Sequence, residues 1–286
     1  MAKVGIIGGS GLYNIEGIDI IDEQTLFTPF GEPSGNFVIG KLDGVDVIFL
    51  PRHGKGHRTS PSDINYRANI FGMKKLGVNA ILSVSAVGSL KEELKPMDFV
   101  VPDQFIDWTR GKRESTFFTE GIVAHIAFAD PVSKELTDIL VECAKDLKIK
   151  VHEGGTYINM EGPQFSTKAE SNLYRSWGID IIGMTNVVEA KLAREAEISY
   201  ATLAAVTDYD CWHEGHESVT VEMIVANLIQ NVDNAKKILK AAIPQVGALK
   251  NFSAANSLKH AIITEKDKIP EQKLKELNLL IGKYLG

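Results

Sequence analysis

The sequence predicts an α/β fold, in which helices cover a largely parallel sheet. One observation is the apolar run at residues 200–206, which stops abruptly at Thr207-Asp208-Tyr209-Asp210 and is typical of a buried parallel strand. A second is that such runs alternate with segments of helical period along the 286 residues. A third is that 44% of the residues are hydrophobic, which is enough for a substantial core. Ligands of such folds bind beyond the carboxyl ends of the strands, so the residues there are the functional candidates.

The first half of the chain is predicted to be mainly strand. Asp43-Gly44 is a turn-forming pair between two apolar runs and indicates a hairpin. A helix is expected from about Ser62, where apolar residues begin to recur on one face, until Gly77 ends it. The strand segments are residues 4–7, 37–42, 45–50, 80–84, 99–101 and 104–107.

Helix signals are stronger in the second half. Asp130-Pro131 combines a capping side chain with a proline suited to the first helical position. Thr167 and Glu170 form a capping box that opens a helix ending at Gly178. The other predicted helices are residues 188–196, 221–239 and 271–284, and the predicted strands are residues 155–160, 180–183 and 199–206.

Composition excludes several classes of partner. A formal net charge of −6 argues against nucleic acid and anionic membrane surfaces. The chain has no apolar run of 18 residues and no signal-peptide pattern, so we expect a cytoplasmic protein. Cys143 and Cys211 lack the spacing of metal ligands or redox pairs, and no metal site is expected.

Several strand ends carry groups suited to an anion. Gly8-Gly9-Ser10-Gly11 offers backbone N–H groups and a hydroxyl, although it matches neither a P-loop nor a dinucleotide fingerprint. Arg52 and His53 follow the second hairpin strand, and a guanidinium there is a natural phosphate fork. Ser85 and Thr185 add hydroxyls after two further strands. Each feature alone also fits a tight turn, a solvated loop or close packing.

A second group of strand ends suits a flat nitrogenous base. Phe165 can offer an aromatic face, although an isolated phenylalanine is more often part of a core. Asp208 and Asp210 are costly to bury unless a ligand or a partner uses them. Taken together, the two groups favour a ligand that combines phosphate with a nitrogenous base. Covalent catalysis is not required, because no nucleophile–histidine arrangement is evident.

Six segments resemble those of the 5′-methylthioadenosine phosphorylases, in the trimeric branch of the purine nucleoside phosphorylases. They are GIIGGSGLY, LPRHGKGH, SVSAVGSL, NMEGPQFSTKAES, GMTNVVEAKLAREA and VTDYDCW. The resemblance runs from residue 4 to about 245. We take residues 1–245 as the phosphorylase domain and residues 246–286 as a C-terminal helical extension packed on it. Val188 departs from the pattern, since the family usually has proline before this glutamate.

The resemblance implies a single domain with a mixed, distorted central sheet flanked by helices, in a homotrimer or a dimer of trimers. The implied reaction uses inorganic phosphate as co-substrate, with no metal or organic cofactor, and converts 5′-methylthioadenosine to adenine and 5-methylthioribose 1-phosphate in purine and methionine salvage. Neither nucleic acid nor a membrane is an expected partner.

Site residues carry over position by position. Asp208, Arg52 and His53 are the implied catalytic residues. The implied phosphate site comprises Ser10, Arg52, His53, Ser85, Thr185 and the backbone N–H of Ala86. The implied nucleoside site comprises Met184 against the ribose, Phe165 against the purine or sugar, Asp208 and Asp210 at the base, and His57 and Val221 at the 5′-methylthio group.

The implied chemistry needs an acid beside the leaving base. Burial and the nearby Asp210 would keep Asp208 protonated, so that it donates to N7 of the purine while phosphate stabilises the oxocarbenium ion. Enzymes of this fold that use 6-oxopurines carry glutamate at the position of Ser166 and asparagine at that of Asp208. A carboxyl accepts from a 6-amino group, so this sequence favours aminopurines.

Three alternatives stay open at this point. The nearest is a phosphorylase that prefers adenosine, 5′-methylthioinosine or other 6-oxopurine nucleosides. A dinucleotide enzyme is disfavoured by the failed glycine fingerprint. A non-catalytic nucleotide-binding module is weakest, because binding alone does not call for an arginine-and-hydroxyl phosphate set beside a base pocket.

Overall fold

The structure is a computed structural model that describes residues 1–9, 12, 15–109, 111–213 and 221–285. Its described residues form one mixed sheet of eleven strands with helices on both faces. The predicted single α/β domain with a mixed, distorted sheet is therefore confirmed. None of the described helices is both long enough and apolar enough to cross a membrane.

The strands follow the predicted pattern closely, with two additions. They are β1 (Val4–Gly8), β2 (Asp19–Gln24), β3 (Phe37–Leu42), β4 (Val45–Pro51), β5 (Ala80–Ser89), β6 (Phe99–Val101), β7 (Gln104–Trp108), β8 (Val151–Glu153), β9 (Thr156–Met160), β10 (Ile181–Gly183) and β11 (Ser199–Asp208). The predicted hairpin is β3–β4, where Leu42 pairs with Val45 across Asp43 and Gly44, both at positive φ. Strands β2 and β8 were not predicted.

The helices are α1 (Tyr66–Lys75), α2 (Lys134–Asp146), α3 (Lys168–Ser176), α4 (Asn186–Glu195), α5 (Val221–Ala248) and α6 (Glu271–Leu285). The capping box of α3 is present as predicted. The start predicted for α2 at Asp130-Pro131 is wrong. Hydrogen bonds from the Ser133 N–H to the Tyr200 carbonyl, and from the Tyr200 N–H to Ser133 Oγ, hold the chain extended there.

Strand β5 is where the sheet branches. It pairs in parallel with β1 on one side and with β11 on the other, while its last residues, Gly88 and Ser89, pair antiparallel with β10. The β5–β11 register shifts between Val206 and Asp208, which brings Asp208 opposite Gly88. Such a bulge re-aims side chains. The distortion therefore places the Asp208 carboxylate at the end of the two central strands.

Two apolar layers enclose this sheet. Helices α1, α4 and α6 pack on one face, and α2 and α5 pack on the other. Helix α5 continues through Pro244 to Ala248, past the predicted boundary at residue 245. Helix α6 contributes Leu277, Leu280 and Ile281 to the same core cluster as α1 and α4. The division of the chain at residue 245 stays a prediction.

Candidate active site

A cavity of about 150 Å³ lies at the ends of β5, β10 and β11. It is lined by seven of the residues that the sequence predicted to be functional: Ser85, Ala86, Phe165, Met184, Thr185, Asp208 and Asp210. These residues are up to 125 positions apart in the chain (210 − 85). The fold thus gathers the predicted hydroxyls and the predicted carboxylates around one space.

The hydroxyl side of the cavity lies at the start of α4. Thr185 and Ser85 are both buried, and Thr185 immediately precedes the first helical residue. Its hydroxyl donates to Asn186 Oδ1 at 3.2 Å and does not cap the helix. A helix N-terminus carries partial positive charge and unpaired N–H groups, so this end of the cavity suits an anion.

Arg52 is not among the residues that line the cavity, but it contacts the strand that carries Ser85. The residue is only 3% exposed, and its guanidinium donates to the Ser83 hydroxyl at 2.5 Å and to the Val84 carbonyl at 3.0 Å, on the two residues of β5 that precede Ser85. Burial lowers the pKa of Arg52, but the carboxylate of Glu189 more than reverses this, so the pKa is raised and the group stays charged. Arg52 is therefore a fixed cation beside the strand that carries Ser85.

His53 and His57 occupy the loop after β4. Their rings stack with centroids 4.2 Å apart. Among the residues that the structure describes, neither histidine is part of the cavity lining. His53 Nδ1 lies 2.9 Å from the Thr59 carbonyl, which can only accept, so Nδ1 carries the hydrogen. Burial and the charge of Arg52 lower the pKa of His53 to about 4. The ring is consequently neutral at pH 7, with a lone pair on Nε2.

The carboxylate side of the cavity holds Asp208 and Asp210. Asp208 is 7% exposed, and its two oxygens accept from the Thr207 hydroxyl at 2.7 Å and from the Asp210 N–H at 2.8 Å. Burial raises the pKa of Asp208 to about 6, and the charge of Asp210 adds to this while the two hydrogen bonds oppose it. Burial also raises the pKa of Asp210, and the nearby polar groups of Ser171, the Cys211 backbone and Ser166 oppose this only in part. Both groups are thus poised to hold a proton more readily than free carboxyls.

A second cavity of about 530 Å³ adjoins the first. The two share Met160 and Phe165, and the larger one extends along the loop from Glu161 to Phe165. Phe165 is 48% exposed, so the expectation that such a residue usually belongs to a core does not hold here. Its ring is available to a ligand. Ser166 lies behind it, with its carbonyl accepting from the Cys211 thiol.

Two predicted residues cannot be placed. Ser10 lies outside the described residues. Val221 begins helix α5, and its side chain is outside what the structure describes.

The sequence reasoning did not single out a second buried arginine, Arg113. It donates to Glu161 Oε1, to the Tyr66 hydroxyl and to the carbonyls of Glu161 and Met184. These contacts tie the Met184 backbone to the loop that carries Phe165. In the sequence, Arg113 is a basic residue flanked by other polar residues, and this pattern cannot be distinguished from that of a solvated loop.

Comparison with known proteins identifies the family to which the chain belongs. A model of the phosphorylase superfamily matches residues 3–244. The chain belongs to that superfamily. The S-methyl-5′-thioadenosine phosphorylases of Thermosynechococcus vestitus and Geobacter sulfurreducens are 58% and 56% identical to it, each over 99% of both chains. The resemblance seen in the motifs is therefore confirmed.

Solved structures of this superfamily share the fold. A methylthioadenosine phosphorylase from an antarctic soil metagenomic library has a TM-score of 0.93 and 48% identity, covering 98% of each chain. A mutant adenosine/methylthioadenosine phosphorylase from Schistosoma mansoni, in complex with methylthioadenosine, has a TM-score of 0.83 and 39% identity. That alignment covers 87% of this chain and 93% of the other.

Proposed function

We propose that this protein catalyses the phosphorolysis of 5′-methylthioadenosine to adenine and 5-methylthioribose 1-phosphate. The observation that carries the proposal is that one cavity has hydroxyls and a helix N-terminus at one end and two carboxyls at the other. A sugar held between them has phosphate on one side and its base on the other. The full-length relatives that carry this activity in their names support the same conclusion.

The reaction exchanges one bond at C1′ for another. The C1′–N9 bond breaks, and a bond from C1′ to a phosphate oxygen forms. Asp208 supplies a proton to N7 of the leaving adenine, hydrogen phosphate releases its own proton to solvent as the new bond forms, and Asp208 takes up a proton from solvent, so charge and protons balance. With a pKa of about 6, Asp208 is partly protonated near neutral pH, as a general acid requires.

Phosphate binding is assigned to Arg52, His53, Ser10, Ser85, Thr185 and the Ala86 N–H. Arg52 supplies an oriented N–H donor, and the helix N-terminus after Thr185 favours the anion. His53 acts here as an acceptor, because its Nδ1 already donates to Thr59. It would take a hydrogen bond from the protonated oxygen of hydrogen phosphate.

Nucleoside recognition is assigned to the other end. Asp208 and Asp210 would hold the base, Phe165 would cover it, and Met184 would lie against the ribose. Ser166 lies near Asp210, and Ser166 and Asp208 stand where the 6-oxopurine enzymes of this fold carry glutamate and asparagine; a carboxyl oxygen of Asp208 can accept from a 6-amino group. We therefore expect aminopurine substrates. His57 and Val221 are assigned to the 5′-methylthio group.

We further expect a homotrimer, or a dimer of trimers, in the cytoplasm, serving purine and methionine salvage without a metal or organic cofactor. The half-exposed Phe165 supports the oligomer, because an apolar ligand needs a drier wall than one chain provides at this end. Light scattering that shows a fully active monomer would contradict the trimer.

The deciding assay follows release of the purine base from methylthioadenosine, adenosine and methylthioinosine, with and without inorganic phosphate. The proposal predicts release that needs phosphate or arsenate and is fastest with methylthioadenosine. Equal release in phosphate-free buffer would identify a hydrolase. A preference for methylthioinosine would replace the proposed substrate with a 6-oxopurine nucleoside.

A further inference from the structure

The carboxylate of Glu189, on α4, accepts two hydrogen bonds from one edge of the Arg52 guanidinium. Arg52 Nε donates to Glu189 Oε1 at 2.5 Å, and Nη2 donates to Glu189 Oε2 at 3.0 Å. Both side chains are almost completely buried, at 4% and 2% exposure. This is the bidentate geometry in which a planar guanidinium and a carboxylate fix each other's orientation.

A count of donors shows what Arg52 has left to offer. A guanidinium has five N–H groups. Glu189 takes two, the Ser83 hydroxyl takes the second hydrogen of Nη2, and the Val84 carbonyl takes one hydrogen of Nη1. The remaining Nη1–H has no partner among the described residues. Because hydrogen bonds hold the other four N–H groups, the guanidinium cannot turn, and this remaining N–H points in one fixed direction.

Glu189 is itself held by neighbouring hydroxyls. Its Oε2 accepts from the Tyr200 hydroxyl at 2.8 Å and from the Ser83 hydroxyl at 3.1 Å. Asn186 Nδ2 lies within donating distance of the same two hydroxyls, and Asn186 Oδ1 accepts from Thr185. One buried network therefore joins Arg52 to Thr185, two residues assigned to phosphate.

We propose that Glu189 is a positioning residue for the phosphate site and acts through Arg52. This inference rests on the proposed function, because it assumes that Arg52 meets phosphate. Glu189 neutralises most of the arginine's charge, so its benefit to phosphate lies in orientation and not in added attraction. A fixed donor is already in place when phosphate arrives, which is the condition for an effective electrostatic site.

A purely structural role makes a different prediction. Buried ion pairs often contribute little to net stability, and apolar residues of similar volume can replace them. If the pair only joins α4 to the loop after β4, its loss changes stability and affects both substrates alike. If Glu189 aims Arg52, its loss changes the response to phosphate alone.

The test is Glu189→Gln, which keeps the side-chain size but removes the charge that pairs with Arg52. The KM for phosphate is expected to rise about ten- to a hundredfold, because a misplaced group loses much of its effect. The KM for methylthioadenosine should change less than twofold. The matched control is Glu195→Gln, on the same helix and also buried, whose carboxylate accepts only from Thr116 and Phe117 among the described residues. The control should leave the KM for phosphate unchanged.

Tyr200→Phe provides a second variant in case Glu189→Gln does not fold. It removes one donor to Glu189 and keeps the ring, and it should raise the KM for phosphate about threefold, as expected for one lost hydrogen bond. Folded variants with a wild-type KM for phosphate would overturn the inference, as would parallel rises in both KM values. Phosphate-independent adenine release by the wild-type enzyme would instead refute the proposed function.

Discussion

The two ends of the cavity are built differently. At the hydroxyl end, Arg52, Ser85 and Thr185 are at most 8% exposed, and hydrogen bonds connect Arg52, which follows β4, with residues of β5, β11 and α4. At the carboxylate end, Asp210 is partly exposed and Phe165 is 48% exposed. Asp208 is the buried last residue of β11, whereas Phe165 and Asp210 lie on the chain that follows β9 and β11; the hydrogen bonds to Asp208 come from its neighbours Thr207 and Asp210.

The difference separates what is constant in the reaction from what is selective. Phosphate is the same whichever nucleoside reacts, and its proposed ligands are fixed in the core of the domain. The base and the 5′ group distinguish one substrate from another, and their proposed contacts other than Asp208 lie mainly on loops, which can change without disturbing the core. Substitutions at the first end should therefore affect every substrate, and those at the second should affect choice.

Arg52→Lys gives the largest expected effect. Lysine keeps the charge but lacks the planar fork, so it cannot bind both oxygens of Glu189 and still direct a donor at phosphate. The kcat/KM for phosphate should fall about 100-fold. The fall should be the same with methylthioadenosine and adenosine, measured in parallel. A loss that depends on the nucleoside would erase the distinction between the two ends.

Asp208→Asn tests the selective end. The kcat/KM for methylthioadenosine should fall by about one to two orders of magnitude, because the amide cannot supply a proton to N7 and faces a 6-amino donor poorly. Relative preference should move toward methylthioinosine, whose O6 can accept from the amide. The change should be incomplete, since Ser166 is retained. An unchanged ratio between the two substrates would transfer base recognition to Asp210.

The same substitution should alter stability in a pH-dependent way. The folded pKa of Asp208, about 6, lies above the ordinary value of 3.8 because of burial. The protonated Asp208 side chain therefore contributes its full stabilisation of the fold below pH 4. This contribution is lost as the pH rises through 6, and at pH 8 the buried ionised carboxylate destabilises the fold. Asp208→Asn should raise the free energy of unfolding at pH 8 by about 2 to 3 kcal/mol. Denaturant melts at pH 4 should show little difference; a gain at pH 4 equal to that at pH 8 would refute the assigned pKa.

His57→Glu should give the smallest effect. If His57 contacts the 5′ group, a charged side chain should lower kcat/KM for methylthioadenosine about threefold more than for adenosine, since a buried methylthio group loses more than a hydroxyl in a wetter pocket. Equal losses for both nucleosides would remove His57 from that site. Because the His57 ring stacks on His53, such equal losses would point to an effect on the phosphate site instead.

Sequence patterns predicted most of the sheet and most of the cavity lining. The strands with near-continuous apolar runs, such as β5 and β11, are recognisable because both of their faces are buried. Strand β2 was missed because DIIDEQ has neither alternation nor burial, and only its pairing with β3 makes it a strand. The bulge that brings Asp208 to Gly88 is likewise a property of two paired strands.

The buried hydrogen-bond network around Glu189 could not be predicted from the sequence either. Tyr200 and Ser83 appear there as ordinary members of buried strands, and their hydroxyls meet Glu189 only after α4 packs on the sheet. One signal was present. Glu189 stands among the buried residues Val187, Val188 and Ala190, and a carboxylate on an apolar helix face requires a partner. Which partner it has depends on long-range contacts.

Phosphorus NMR of the reaction mixture tests the central claim most directly. With methylthioadenosine and inorganic phosphate, the account predicts a new phosphate-monoester signal that grows in step with adenine release, one for one, and splits by coupling to the proton on C1′. Arg52→Lys should slow the appearance of this signal and of adenine equally. Adenine release with the inorganic phosphate signal undiminished, and free 5-methylthioribose as the second product, would contradict the account.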